Sequence, residues 1–136
     1  MEAHTDAPVI WDYSRFTEEQ DLGSTELCVD ASRLRLWCEV FDRPRPADKI
    51  SASLLINLMM EAYLNVAQPR PPGNIHAGQK LHLSGRAPRA GEVLTITTRV
   101  AKKEERKGRK WLTFESRIAA GDEALLKGEI LTIWAE

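Results

Sequence analysis

One histidine stands where it could move a proton next to a bound ligand. His76 lies two residues before Gly78, in the stretch that we place between a long apolar helix and a series of strands. Imidazole exchanges protons near neutral pH, and a glycine lets a ligand approach the backbone closely. The structural alternative is that His76 caps a turn or packs at an interface. We therefore take His76 as a candidate proton carrier and Gly78 as a candidate substrate-binding residue.

A polar stripe interrupts the most apolar segment of the chain. Between Ala52 and Ala67 twelve residues are apolar, and the four exceptions, at steps of four, are Ser53, Asn57, Glu61 and Asn65. This spacing puts them on one drifting face of a helix. Glu61 is therefore a candidate for substrate binding. The structural alternative is that the stripe is the less buried side of the helix or a polar seam between subunits.

Basic residues concentrate at two places in the second half of the chain. The run 102–110 holds six basic residues and two acids, which would attract phosphate groups or an acidic protein, or form a solvated hairpin end. Arg86 and Arg89 flank the turn at Pro88 and are further candidates for phosphate contacts.

Several classes of site are excluded. The three histidines are scattered, and Cys28 and Cys38 are ten residues apart without a CxxC motif, so we expect no metal site. Cys38 falls at a core position of a short helix, where a small buried side chain is expected. Nucleotide-binding GxGxxG, P-loop and EF-hand patterns are also absent.

Composition bounds the class of protein. A chain of 136 residues with 43% hydrophobic residues, 29% charged residues and a net charge of −1 predicts one soluble domain with no general affinity for nucleic acid. The longest apolar run, 54–56, is far too short to span a membrane. The first residues lack the pattern of a secretory signal, so we expect a cytoplasmic protein.

The hydrophobic pattern predicts helices first and strands later. Residues 1–26 show little periodicity and are predicted to be an irregular segment, held by Trp11, Tyr13 and Phe16, in front of a single domain at 27–136. A short amphipathic helix starts at the cap Asp30 and ends before Pro44. A longer helix covers 52–67, and four long strands follow it.

These elements favour an α+β fold with an antiparallel sheet. Sequential strands without crossover helices pair antiparallel, and a helix that is apolar on nearly all sides needs the sheet to curl around it. This is the hot-dog arrangement, with a long central helix. A ferredoxin-like fold is the rival, but it needs a second helix between the later strands. The hot-dog sheet leaves an edge strand uncovered, so we predict a dimer or a higher even-numbered assembly.

Three segments in order resemble a known family. They are PPGNIHAGQ at 71–79, PRAGEVLT at 88–95 and the pair Lys107-Gly108 before a strand, and the resemblance runs from about Ser24 to the C-terminus. In these segments the chain is similar to the MaoC-like acyl-CoA dehydratases and hydratases. The resemblance implies a hot-dog unit that binds an acyl thioester of coenzyme A or acyl carrier protein at a dimer interface, with no cofactor beyond that carrier, and adds or removes water across a double bond.

The resemblance also assigns catalytic residues. Family members use an aspartate and, about five residues later, a histidine; the aspartate position matches Asp42, but the histidine position is Ala47. The first hypothesis is therefore a hydratase or dehydratase with Asp42 and His76 as its acid–base pair and Arg89 among the substrate contacts.

Two alternatives stay open. Ala47 motivates a non-catalytic subunit that binds an acyl group or completes the pocket of a catalytic hot-dog partner. The second alternative is a hot-dog thioesterase in which Glu61 activates water or attacks the thioester.

Overall fold

The structure, a computed structural model, describes residues 8–41 and 49–136. A 3-10 turn at Tyr13–Arg15 is followed by β1 (Asp21–Cys28), α1 (Ala31–Val40), α2 (Ala52–Asn65), β2 (Ile75–Leu83), β3 (Val93–Arg106), β4 (Arg109–Ala120) and β5 (Glu123–Trp134). The five strands form a sheet in the order β1-β3-β4-β5-β2, and all four neighbouring pairs are antiparallel. The predicted α+β hot-dog arrangement is confirmed.

Helix α2 is shorter than the predicted 52–67. Ser51 caps its start by accepting a hydrogen bond from the backbone N–H of Leu54. The helix ends at Asn65, because Val66 is already extended and Ala67 has a φ of 51°. No helix in the described part of the chain has the length and apolar character needed to cross a membrane.

The core lies between α2 and the inner face of the sheet. Gly128 of β5 has no side chain, so Met59 of α2 packs directly against the strand there. Alternate residues of the three central strands point at α2, which is the period-2 burial expected of a half-buried sheet. The largest fully buried side chains are Phe16, Phe114, Ile50, Leu54, Leu58, Met59, Leu94, Ile96, Leu112, Ile118, Leu125 and Leu126.

The N-terminal segment differs from the predicted irregular stretch at its end. Residues 21–28 form β1, an edge strand that pairs with β3. Most of its side chains are exposed, and only Leu22 and Leu27 are large apolar residues. The hydrophobic alternation that predicts strands was therefore missing.

Aromatic residues hold the start of this segment in place, as predicted. Phe16 contacts Phe114 and Trp134 with ring centroids 5.6 and 5.2 Å apart. The indole N–H of Trp134 donates to the carbonyl of Trp11 at 2.8 Å. The segment thus closes the end of the core where α2 ends.

The basic run 102–110 was predicted as a hairpin tip, and the structure makes most of it strand. β3 and β4 continue to Arg106 and Arg109, and the turn itself is Lys107-Gly108, with φ values of 52° and 74°. Two central residues with positive φ are typical of a type I′ turn, which matches the strand twist. The cationic side chains therefore stand on a short, regular hairpin.

Candidate active site at the open edge of the sheet

Strand β2 is an exposed edge of the sheet. It pairs with β5 on one side, and along its other side no described strand follows. Three of its large apolar side chains are exposed: Ile75 by 50%, Leu81 by 41% and Leu83 by 49%. Unpaired backbone groups beside exposed apolar side chains form a surface that proteins normally cover.

His76 lies in β2, not in the loop that the sequence predicted. Its Cα pairs with that of Thr132, a residue buried toward α2, so the His76 side chain lies on the α2 side of the sheet. A bulge at Ala77 shifts the register, and Gly78 pairs with Leu131. Successive residues of β5 point to opposite faces, so the structure separates His76 and Gly78 onto the two faces of the sheet.

Gly78 is not needed for close packing. A Cβ there would lie 3.7 Å from the Leu131 side chain, an ordinary contact, and its φ is not positive. Its lack of a side chain leaves the outer face of β2 open at this point.

The inner face of β2 lies beside α2 and contacts it through a side chain. Gln79 donates a hydrogen bond of 3.5 Å to the Sδ atom of Met60. Leu81 and Leu83 lie farther along the same face, since they pair with the buried residues Gly128 and Leu126. The inner face of β2 thus carries an imidazole, an amide and exposed apolar side chains. Sequence analysis missed Gln79 and Met60, because nothing in the sequence shows that β2 is the edge beside α2.

Glu61 lies on the exposed side of α2, as the polar stripe predicts, but it is not free. Its Oε2 accepts a hydrogen bond of 2.7 Å from the guanidinium of Arg33 on α1. Both side chains are nearly half exposed, so this ion pair contributes little to stability. It does place a cation on the one carboxylate that the thioesterase alternative requires.

Asp42 lies outside the described residues, as do Ala47 and Asp48. The residues before this segment form a shallow groove of about 190 Å³ between α1 and the first half of α2, lined among others by Trp37, Phe41 and Leu54. Phe41 is 53% exposed and stacks on Trp37 at 4.2 Å. The buried indole N–H of Trp37 has no acceptor among the described residues.

Arg89 lies in the turn that meets the chain just after this segment. Its backbone forms a bridge with Lys49, and its N–H donates to Glu92 at 2.5 Å. Arg86 makes a bidentate contact with the same carboxylate, at 2.6 and 2.7 Å. The Arg86 guanidinium and then the Arg89 N–H lower the pKa of Glu92 to about 2. Arg86 is therefore engaged within the turn, while Arg89 lies beside the start of α2.

His76 and the neighbours of Asp42 lie toward opposite ends of α2 within one chain. Tyr63, near the end of α2, contacts Phe114, and Arg70 stacks over Tyr63 and Trp134 at the end of the sheet where β2 begins. At the start of α2, Ile50 donates to Pro88, shortly after β2 has ended. Within a single chain His76 is therefore at the opposite end of α2 from Phe41 and Lys49, the described residues that flank Asp42 in sequence.

Among the described residues, no group of three or more histidine, cysteine, aspartate or glutamate side chains could hold a metal ion.

Comparison with known proteins gives a fold. No family model and no curated protein sequence matches the chain. Solved structures do match. The monoamine oxidase regulatory protein from Archaeoglobus fulgidus has a TM-score of 0.76 at 7% identity, with 93% of this chain and 97% of that chain covered. An (R)-hydratase from A. caviae involved in PHA biosynthesis has a TM-score of 0.71 at 17% identity, with 88% and 98% covered. The chain has the hot-dog fold.

Other similar structures differ in what they do. The ChsH1–ChsH2 complex from Mycobacterium tuberculosis matches with a TM-score of 0.71 at 10% identity, covering 88% of this chain and 98% of that chain. Thioesterases are also among the matches, one of them specific for fluoroacetyl-CoA. At these identities the likeness extends to the fold, and any activity has to be argued from the residues of this chain.

Proposed function

We propose that this protein acts on acyl thioesters as a MaoC-like hydratase or dehydratase, with a site that two copies of the chain build together. The observation that carries the proposal is the position of His76 on the exposed inner face of β2, an edge strand whose other side meets no described strand. The hot-dog fold shared with an (R)-hydratase supports the substrate class. The coenzyme A or carrier-protein part belongs to the substrate.

The homodimer is proposed to form through β2. Its free backbone edge would continue the sheet into a second copy, which would also cover the exposed side chains of Leu81 and Leu83. Two identical edges related by a twofold axis pair antiparallel.

Antiparallel pairing of the two β2 edges is proposed to bring His76 of one copy to the Asp42 segment of the other. In such a dimer the start of one β2 lies beside the end of the other. His76 of one copy would then approach the start of α2 in its partner, where Phe41 and Arg89 flank the segment that holds Asp42. This arrangement gives each site an aspartate from one chain and a histidine from the other.

The chemistry then needs only these groups and the thioester. The Asp42 carboxylate takes a proton from water while the water oxygen bonds to C3 of the enoyl thioester. The C2–C3 double bond becomes an enolate of the thioester, and the His76 imidazolium donates a proton to its C2. Exchange with solvent water then removes the proton from Asp42 and restores the one on His76. Backbone N–H groups at the start of α2 are suited to hold that oxygen.

The shallow groove between α1 and α2 is the proposed position of the acyl chain. It is lined mostly by apolar side chains and includes Phe41, the residue before Asp42 in sequence. Arg89 is proposed to contact the carrier at the same end of α2, and the open backbone at Gly78 is proposed to lie on the outer side of the dimer seam.

Ala47 favours one second candidate, a subunit that completes the site of a catalytic hot-dog partner. The hetero-complex ChsH1–ChsH2 is one of the similar structures. Thioesterase chemistry through Glu61 is less favoured, because Arg33 already holds that carboxylate at 2.7 Å.

The test is hydration of crotonyl-CoA and longer enoyl-CoA substrates by the wild-type protein, measured as the loss of the ultraviolet absorbance of the conjugated enoyl thioester. His76→Ala should lower kcat by about 100-fold or more, as expected for loss of a general acid. His82→Ala is the matched control, because His82 is on the same strand but pairs with Lys127 on the outer face; it should retain activity.

Other results would redirect the proposal. Turnover only after addition of a second hot-dog protein would favour the non-catalytic subunit. Thiol release from acyl-CoA that Glu61→Ala abolishes would favour the thioesterase. Equal loss in His76→Ala and His82→Ala would remove His76 from the chemistry.

A further inference from the structure

The outer face of the sheet carries a concave surface on the side away from α2. It is a cavity of about 540 Å³ at the turn end of the β3–β4 hairpin, lined by Arg106, Lys107, Arg109, Trp111 and Ile133. This volume is in the range of small-molecule sites. We call this surface the hairpin groove.

The floor of the hairpin groove is apolar and its rim is cationic. Trp111 and Ile133 are directly paired residues of β4 and β5, so their side chains lie side by side on the outer face. The guanidinium of Arg106 lies over the Trp111 ring, 4.7 Å from its centroid. This contact orders the arginine side chain and so reduces the entropy that it loses on binding an anion.

The rim charges are only partly neutralised. Arg106 contacts Glu104 at 3.6 Å, whereas Lys107 and Arg109 form no ion pair with any residue in 8–41 or 49–136. The hairpin 102–110 contains six basic residues and two acids, while the rest of the chain has 13 basic and 18 acidic residues. Positive charge is therefore concentrated at this one hairpin of a nearly neutral protein.

We propose that the hairpin groove binds a phosphorylated nucleoside, with the base against Trp111 and Ile133 and the phosphates on Arg106, Lys107 and Arg109. Phosphate oxygens match guanidinium and ammonium donors, and a nucleobase stacks on indole and guanidinium planes. An acidic protein surface would use the cations but would leave the apolar, concave floor without a role. The site does not depend on the proposed hydratase activity.

Calorimetric titration of the whole chain at about 50 mM salt tests this, because weak phosphate contacts are screened at higher salt. The probes are adenosine 3′,5′-bisphosphate, adenosine and inorganic pyrophosphate. The bisphosphate should bind at least about tenfold more tightly than either part alone, since only it engages both floor and rim.

Two variants locate the binding. The double variant Lys107→Gln/Arg109→Gln should lower the affinity for the bisphosphate by about tenfold or more. The matched control is Arg35→Gln/Lys49→Gln, which removes two exposed cations elsewhere that form no ion pair with described residues, and it should change affinity less than about twofold. Trp111→Leu should remove the preference for the bisphosphate over pyrophosphate, with an unchanged circular dichroism spectrum.

Two further probes separate the sources of such a ligand. Coenzyme A binding about tenfold more tightly than ATP would identify the carrier of a thioester, and equal binding would identify a free nucleotide. Four results would each overturn the proposal. They are an affinity for pyrophosphate equal to that for the bisphosphate, equal losses of affinity in the two double variants, binding of an acidic peptide in place of the nucleotide, and no binding at all.

Discussion

At the scale of single residues, the main electrostatic feature is a carboxylate on the outer face of the central strand β4. Glu115 is only 4% exposed and is surrounded by Arg99, Arg117 and Lys127, at 3.1, 2.7 and 3.8 Å. Burial by itself raises the pKa of Glu115, but hydrogen bonds from Arg99 and Arg117 outweigh it and leave the pKa below its usual value. The cluster therefore stabilises the folded state while Glu115 is ionised.

Removing this charge should destabilise the protein. We expect Glu115→Gln to lower the free energy of unfolding at neutral pH by about 1–2 kcal/mol, a moderate loss because the three cations can rehydrate. Urea unfolding measures it. Glu26→Gln on the exposed edge strand β1 is the control and should change the value by less than about 0.5 kcal/mol.

The same residue gives a pH dependence with a definite sign. A lowered pKa means that folded Glu115 binds fewer protons than unfolded Glu115, so its contribution is complete above the ordinary carboxyl pKa and is lost as the pH falls through the folded pKa. Wild-type stability should therefore decline more steeply than that of Glu115→Gln between neutral pH and about pH 3. Parallel declines in the two proteins would contradict this role.

At the scale of elements, α2 shows what a sequence can and cannot predict. Its start at Ala52, its apolar character and its polar stripe all follow from residue types at helical spacing. Its end does not, because it depends on Arg70, whose guanidinium and Nε donate to the carbonyls of Tyr63, Val66 and Ala67 at 2.5, 2.9 and 3.3 Å. Arg70 lies in an irregular segment, up to seven residues from the carbonyls that it caps. The hydrophobic periodicity of the sequence therefore does not reveal this contact.

This cap gives a prediction about α2. Arg70→Lys keeps the charge but cannot reach three carbonyls with a planar fork, so we expect a loss of about 1–2 kcal/mol in unfolding free energy. Arg35→Lys on the exposed side of α1 is the control. Equal stabilities of Arg70→Lys and the wild type would show that solvent satisfies these carbonyls.

The strands show the same limit. The buried faces of β3, β4 and β5 were predictable because their apolar residues alternate. β1 and the first half of β2 were not, because edge strands exposed on both faces carry no such pattern, and the bulge at Ala77 breaks what alternation there is. The candidate site lies on one of these edges. The sequence therefore identified His76 as a candidate site residue, but it revealed neither the position of His76 in β2 nor its neighbours Gln79 and Met60.

At the scale of the whole molecule, the proposed activity depends on a second copy covering β2. The double variant Leu81→Asp/Leu83→Asp would place two charges in the proposed interface between the copies. We expect it to sediment as a monomer, whereas the wild type sediments as a dimer. Val93→Asp is the control, since Val93 is 56% exposed on β3, away from β2, and should leave the dimer intact. A monomeric wild type, or dissociation by Val93→Asp, would exclude β2 as the interface.

The most direct measurement mixes two inactive variants. If each site takes Asp42 from one chain and His76 from the other, hybrid dimers of Asp42→Asn and His76→Ala contain one intact site. Random reassembly after denaturation and refolding should then restore about one quarter of the wild-type enoyl-CoA hydration rate. A mixture that stays as inactive as its two components, although the hybrid dimers form, would contradict a site shared between two copies.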